Sequence, residues 1–374
     1  MLPKIPPMLL LFSTLCVFLQ TTASGGLKVG AQPIGVCYGT FANSQPSAQE
    51  AVSLVQSVGI ESMRFYGPDH NALQALENTD VQVILGVPND ELEYVASSQD
   101  NANQWIQGNV RIYPQVKFRY IVVGNGIDPM MDSTTSEFAQ FLLPALQNIQ
   151  TAISASGLHN TIKVTTAFDQ TEILHQSLPP SQGEFRVEML GFIVPIISFL
   201  QKNNAPILVN LHPFFDYIHH MPNNPPELGS SSQGKQDVRL QYALFKISKK
   251  PVLQDGPLGY TNVFDAMVDS VYSALEKTGA SSLDVVVSEI GWPTAAWPEA
   301  NVTANIQNAA THNNGLINHV RTRGTPKRPQ KRIETYIYAL FDENLKGYDD
   351  ESQRHWGIFW NNKQAKYQIN FARK

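Results

Sequence analysis

Two short segments carry residue types that could do chemistry at the ends of buried strands. In residues 285–293 (VVVSEIGWP), the carboxylate of Glu289 follows an apolar run, and the indole of Trp292 comes shortly after it. In residues 120–128 (YIVVGNGID), Asn125 and Gly126 end a similar run. A carboxylate that closes a buried strand is suited to proton transfer or nucleophilic attack, and an indole can stack on a sugar face. A salt-bridged loop carboxylate is the alternative for Glu289.

The elements that must position these residues follow a repeating pattern. Near-continuous apolar runs favour parallel strands that are covered on both faces. Helical patterns with one apolar stripe lie between them, as at 49–58, 138–153 and 263–275. Eight strands alternating with helices predict a single (β/α)8 TIM barrel, in which working residues lie at the carboxyl ends of strands. A doubly wound open sheet is the alternative, weakened because no G-x-G-x-x-G follows the first strand. The eight predicted strands are 34–39, 63–66, 81–87, 120–124, 162–168, 207–211, 285–288 and 335–341.

Composition narrows the function classes. The chain has 374 residues, of which 43% are hydrophobic and 16% charged, and its formal net charge is −5. This apolar content excludes a disordered chain. A net acidic balance argues against nucleic acid as a partner, because binding phosphates requires a basic surface.

The first 25 residues are typical of a secretory signal peptide. Lys4 precedes a short apolar core at 8–19, and small residues at 21–25 offer a cleavage site. The apolar run is too short for a stable membrane anchor, and a buried first helix is the alternative. We therefore predict a signal peptide at 1–25 and one catalytic-type domain at 26–374.

Secretion sets further expectations. Removal of the signal peptide takes Cys16 with it and leaves Cys37, which we predict to be a buried strand thiol without a disulfide. The sequon Asn301-Val-Thr303 predicts a glycosylated asparagine. We expect a monomer in the extracellular space or cell wall, with the vacuole as the alternative.

Distinctive short motifs follow one another along the chain: 34–39 (IGVCYG), 63–66 (MRFY), 85–90 (LGVPND), 123–125 (VGN), 254–256 (QDG), 264–266 (FDA), 287–293 (VSEIGWP), 324–326 (GTP), 333–336 (IETY), 341–344 (FDEN) and 356–359 (WGIF). With these motifs, the whole of the predicted mature chain resembles plant endo-1,3-β-glucanases of glycoside hydrolase family 17. The resemblance implies a (β/α)8 barrel, hydrolysis with retention of configuration, β-1,3-glucan as the polysaccharide partner and no cofactor. The histidines have no ligand spacing for zinc, so no metal is expected.

The resemblance also implies roles for individual residues. Glu289 matches the family nucleophile, and Glu343 and Lys346 match the acidic and basic residues that surround it. Four further positions match residues of the glucan path: Tyr38 at the cleft floor, Asn125 for the sugar 2-hydroxyl, and the aromatic Phe215 and Trp292. Structural ion pairing or core packing is the alternative for each.

Several departures from the family pattern cluster at the expected cleft. The general acid/base glutamate of the family falls on Gly126, and a further acid falls on Gln353. The other departures are Gly67, His212, Phe214, His312 and a long loop at 223–234. General acid–base catalysis contributes about 10²–10⁴-fold, so we expect catalysis to be weakened or lost.

Two functions follow from these observations. One is a secreted β-1,3-glucan hydrolase that uses Glu289 as its nucleophile. The other is a non-hydrolytic β-glucan-binding or defence-related relative that keeps the cleft without the chemistry. Hydrolysis of laminarin distinguishes the two.

Overall fold

Eight parallel strands close into a barrel in the computed structural model, which describes residues 34–130, 133–219, 238–247, 250–298, 300, 302–347 and 351–371. The order around the barrel is β1-β12-β11-β8-β5-β4-β3-β2, and every neighbouring pair is parallel. This confirms the predicted (β/α)8 architecture. The barrel strands are β1 (Ile34–Tyr38), β2 (Ser62–Phe65), β3 (Gln82–Val87), β4 (Lys117–Asn125), β5 (Lys163–Asp169), β8 (Ile207–Asn210), β11 (Val285–Ile290) and β12 (Thr335–Ile337).

Two antiparallel hairpins lie outside the barrel. One pairs β6 (Leu174–Gln176) with β7 (Glu184–Phe185), and the other pairs β9 (Leu253–Asp255) with β10 (Leu258–Tyr260). The described helices are α1 (Ala48–Val58), α2 (His70–Leu76), α3 (Leu92–Ser97), α4 (Gln99–Ile106), α5 (Ala139–Ala155), α6 (Gln170–Ile173), α7 (Leu190–Lys202), α8 (Pro213–His219), α9 (Val238–Ala243), α10 (Val263–Lys277) and α11 (Ile306–Thr322). Gln107–Arg111 continues α4 as a π-helical turn.

The strands are buried on both faces, which explains their near-continuous apolar sequences. Alternate residues fill the barrel interior, in a cluster that includes Cys37, Tyr120, Val122, Val286 and Tyr336. Their neighbours point outward into the larger core formed with the helices. Cys37 is a free, fully buried thiol, as predicted, and burial raises its pKa to about 12.

All eight predicted strands are present, but the last one is shorter than predicted. The predicted run 335–341 ends as a regular strand at Ile337. Beyond it, Tyr338 N donates to Ile290 O, and Leu340 N donates to Cys37 O (both 2.9 Å). The segment thus stays attached to both neighbouring strands while its ladder becomes irregular, next to a register shift between Val287 and Ile290 in the β11–β12 pairing.

Some predictions fall where the structure gives no description. The signal peptide at 1–25, the sequon residue Asn301 and the loop at 223–234 lie outside the described residues. Within the described residues, no helix combines the length and apolar character needed to cross a membrane.

Candidate active site

A buried arginine organises the site at the carboxyl ends of the strands. Arg64 on β2 is 1% exposed, and its Nη1 donates to Glu289 Oε1 across the barrel (2.9 Å). Its Nη2 donates to Asn125 Oδ1 on β4 (2.7 Å). One guanidinium therefore fixes the two polar groups that the sequence analysis singled out, and it leaves Glu289 a partly exposed carboxylate (12%).

Strand irregularities turn both of these residues towards the barrel axis. Val286 points inward and Val287 outward, so regular alternation would direct Glu289 away from the axis. The β11–β8 register shifts between Val287 and Glu289. The β4–β5 register shifts in the same way before Asn125. Bulges of this kind re-aim side chains next to active sites.

Asparagines hold Asn125 in place. Asn125 N donates to Asn89 Oδ1 (2.8 Å), and Asn89 Nδ2 donates back to Asn125 O (3.0 Å). Asn125 Oδ1 also accepts from Asn210 Nδ2 (3.0 Å). Among the described residues, Asn125 Nδ2 has no hydrogen-bond partner. The amide is therefore oriented by its oxygen, and its NH₂ group remains able to donate to a ligand.

Glu343 and Lys346 form a second polar cluster beside Glu289. Lys346 Nζ lies 2.9 Å from Glu343 Oε2 and also hydrogen-bonds Tyr338 Oη. Glu343 Oε1 accepts from Phe41 N (3.1 Å), and Oε2 accepts from Tyr338 Oη (3.0 Å). Glu343 is buried, whereas Lys346 lines the cavity. Gly39 permits this packing, because a Cβ there would lie 2.1 Å from Glu343 Oε1.

A cavity of about 500 Å³ opens between these groups, a size typical of ligand sites. Glu289, Asn125 and Lys346 line it together with the aromatic rings of Phe215 and Trp356. Those two rings have centroids 5.9 Å apart. The predicted aromatic role of Phe215 is therefore compatible with the structure.

Trp292 and Tyr38 occupy other positions than predicted. Trp292 is 0% exposed, its Nε1 donates to Thr303 O (2.9 Å), and its ring packs against Phe214 and His312 in the core. The prediction that Trp292 contacts glucan is therefore wrong, because no face of the indole reaches the cavity. Tyr38 is also buried, with its ring edge-to-face on Phe65, and it is not among the residues that line the cavity.

Gly126 leaves space where the resemblance implies an acid. It follows Asn125 directly, and among the described residues other than its two chain neighbours no atom lies within 4 Å of the position that a Cβ would occupy. Its φ of +60° is a conformation that glycine adopts far more readily than other residues. The chain therefore offers no side chain at this position to protonate a leaving group.

Sequence reasoning missed the histidine–aspartate pair in the cavity wall. His212 Nε2 lies 2.5 Å from Asp169 Oδ2, and both residues line the cavity. Burial opposes the charge on both groups. Their mutual attraction and hydrogen bond nevertheless raise the pKa of His212 above 6.5 and lower the pKa of Asp169. The sequence marks His212 only as a departure from the family pattern, because no local pattern links it to Asp169. Arg64 likewise belongs to a motif, but nothing in the sequence links it to Glu289.

The (β/α)8 barrel hosts many chemistries, and a carboxylate, an amide and aromatic rings at its carboxyl-terminal mouth are compatible with a glycoside hydrolase. The family model "Glycosyl hydrolases family 17" matches residues 34–371. The chain belongs to this family.

Similar proteins agree with this assignment. A glucan endo-1,3-beta-glucosidase of Vitis vinifera is 44% identical over 347 residues, which cover 92% of this chain and 94% of that protein. An acidic glucan endo-1,3-beta-glucosidase isoform of Nicotiana tabacum is 44% identical over 345 residues, 92% of this chain and 89% of that protein. Among solved structures, a β-1,3-glucanase and allergen of Cryptomeria japonica pollen superposes with a TM-score of 0.82 at 41% identity, covering 91% of this chain and 99% of that one.

Proposed function

We propose that this protein is a secreted endo-1,3-β-glucan hydrolase that acts with retention of configuration and uses Glu289 as its nucleophile. The observation that carries the proposal is the Arg64 bridge. It holds the Glu289 carboxylate at the cavity, 2.9 Å from Nη1, and holds Asn125 through the other nitrogen. The names of the similar proteins support β-1,3-glucan as the substrate.

The arrangement suits a two-step displacement. Glu289 attacks the anomeric carbon to form a glycosyl-enzyme intermediate, which water then hydrolyses. The amide NH₂ of Asn125 is positioned to donate to the sugar, and such hydrogen bonds strengthen in the transition state. The positive charge of Lys346 beside Tyr338 adds to the field of Arg64 at the same end of the cavity.

A non-hydrolytic β-glucan-binding role is the second candidate, and Gly126 favours it. A retaining glycosidase needs a second carboxyl group about 5–5.5 Å from the first, and the residue after Asn125 has no side chain to supply it. Under this alternative, the cavity binds glucan without cleaving it.

Hydrolysis of laminarin by the purified chain decides between the two candidates. Release of reducing sugar that is lost in Glu289→Gln, with the β-anomer as the first product by NMR, supports the hydrolase. Glutamine keeps an oxygen that can accept from Arg64 but is not a nucleophile. Binding of laminarin without any turnover supports the second candidate and contradicts the first.

The proposal includes delivery to the extracellular space or cell wall. The support is the predicted signal peptide at 1–25 and the sequon at Asn301. N-terminal sequencing of the protein recovered from secreting cells should start between residues 24 and 26. Removal of N-glycans should reduce its mass, and Asn301→Gln should abolish that shift.

A further inference from the structure

The wall of the cavity contains an acid of a different kind from a carboxyl group. His212 follows β8 and Asp169 ends β5, and these strands are direct neighbours with Asp169 paired to Asn210. Glu289 lies on the other side of β8, where it pairs with Asn210 as well. Adjacent strands are about 4.8 Å apart. His212 therefore follows the strand that lies between the strand of its aspartate partner and the strand of the nucleophile.

The contacts of the pair orient the imidazole ring. Asp169 Oδ1 accepts from Thr171 N (3.1 Å) and Thr171 Oγ1 (2.8 Å), which leaves Oδ2 for His212 Nε2. Among the described residues, His212 Nδ1 has no hydrogen-bond partner. The His212 side chain is 27% exposed and lines the same cavity as Glu289. Asp169 thus holds Nε2 in place, and Nδ1 can form a hydrogen bond with a ligand.

The surrounding charges favour the protonated ring. Burial alone would remove its charge, but Asp169, Glu289 and Glu172 raise the pKa of His212. Asp216 and Lys346 are the other ionisable groups that line the cavity with these residues, in addition to Tyr66 and Tyr338, whose pKa values burial raises. A histidine in this setting holds its proton to higher pH than an ordinary imidazole does, and it can transfer that proton.

We propose that His212, held by Asp169, is the proton donor of this glucanase in place of the carboxyl group missing at Gly126. This inference rests on the proposed function. In the first step, Glu289 bonds to the anomeric carbon, the glycosidic C–O bond breaks, and the departing oxygen takes its electron pair and the proton from His212 Nδ1. In the second step, neutral His212 removes a proton from water, the water oxygen bonds to the anomeric carbon, and the bond to Glu289 breaks. The cycle consumes one water and returns both residues to their starting states.

Glu172 is the rival donor. Burial, followed by the charges of Asp169 and Asp128, raises its pKa to about 7, so it still holds a proton in part of the molecules near neutral pH. It is not, however, among the residues that line the cavity with Glu289, although its neighbour Thr171 is. The position of His212 favours it over Glu172.

A comparison of two substrates distinguishes a loss of proton donation from a loss of binding or folding. Laminarin leaves a sugar alkoxide that needs a proton, whereas a 2,4-dinitrophenyl β-laminaribioside leaves a weak base that does not. His212→Gln should lower kcat/KM for laminarin by about 10²–10⁴-fold and change kcat/KM for the dinitrophenyl substrate little. His175→Gln, at an exposed histidine outside the cavity, is the matched control and should change neither.

Asp169→Asn tests the positioning role through the pH profile. Because the protonated ring is the active form, turnover of laminarin should fall as pH rises through the pKa of His212. Loss of the aspartate charge should lower that pKa and move the fall to lower pH. This readout decides the inference even if His212→Gln fails to fold.

Each other outcome has a defined meaning. Unchanged laminarin turnover and pH profile in His212→Gln overturns the inference, as does loss of turnover in Glu172→Gln instead. Wild-type protein that cleaves only the dinitrophenyl substrate also overturns it, while leaving Glu289 as the nucleophile. Wild-type protein inert on both substrates refutes the proposed function itself.

Discussion

Removing the arginine at the centre of the site should cost more free energy of unfolding than removing a surface cation. Arg64 donates to four oxygens: Glu289 Oε1 (2.9 Å), Asn125 Oδ1 (2.7 Å), Asn210 Oδ1 (3.1 Å) and Ser288 O (2.8 Å). Arg64→Met keeps much of the side-chain volume but leaves those acceptors without their donor. Breaking a buried ion pair from one side costs about 3–5 kcal/mol. The 12% exposure of Glu289 places the expected loss at the lower end, about 3 kcal/mol.

A double-mutant cycle identifies the origin of that loss. Glu289→Gln removes the charge that Arg64→Met would leave uncompensated. The double variant should therefore lose less free energy of unfolding than the sum of the losses in the two single variants. Coupling energies of contacting residues are about 0.5–3 kcal/mol. The measurement is urea unfolding followed by tryptophan fluorescence for the wild type, both single variants and the double variant.

An ion pair at the surface provides the control. Lys117 on β4 pairs with Asp80, and both side chains are well exposed, so Lys117→Met should leave the unfolding midpoint unchanged. If Arg64→Met costs less than about 1 kcal/mol, the range of exposed pairs, then the site does not depend on the arginine as argued. A coupling energy of zero between the two substitutions would show that the lost stability comes from packing and not from the Glu289 carboxylate left without its cation.

Two further predictions concern carboxyl groups at the mouth of the barrel. In the His212→Gln background, Gly126→Glu should give more laminarin turnover than the matched variant Gly126→Ala. Both substitutions carry the backbone strain of φ +60°, about 1–3 kcal/mol, but only the glutamate adds an acid. Equal turnover of the two variants would show that a carboxyl group at this position cannot reach the leaving oxygen. Burial raises the pKa of Glu172 from its ordinary 4.5 to about 7 in the folded protein, so its ionisation destabilises the fold as pH rises from about 4.5 to 7. Glu172→Gln should therefore raise the thermal midpoint at pH 8 and leave it unchanged at pH 4, and an unchanged midpoint at both pH values would contradict the raised pKa.

The sequence predicts the barrel well because parallel strands are buried on both faces. That environment selects uninterrupted apolar runs, and such runs are visible without any knowledge of pairing. It also predicts Glu289 and Asn125, since each directly follows one of these runs. The register shifts that turn both residues inward leave no mark in the residue types, so the sequence pattern alone does not predict which way these side chains point.

The missed residues depend on contacts that only the closed barrel makes. Arg64 and Glu289 are 225 positions apart, and Asp169 and His212 are 43 apart, so no local pattern connects them. Trp292, in contrast, is predicted to line the site but lies in the core. An aromatic residue after a strand suits a cleft or a core equally well, and here Phe214 and His312 enclose it.

The buried arginine also changes what the presence of Glu289 implies about catalysis. A guanidinium that is 1% exposed requires an anion and several acceptors regardless of any reaction, because an uncompensated buried charge costs several kcal/mol. Glu289, Asn125 and Asn210 therefore stabilise the fold whether or not they take part in catalysis, and a barrel that had ceased to hydrolyse glucan would still retain them. No comparable folding requirement applies to a proton donor in an open cavity wall, as the empty space at Gly126 illustrates. The decisive evidence for turnover is consequently the residue that delivers the proton, and the response of laminarin hydrolysis to His212→Gln provides it.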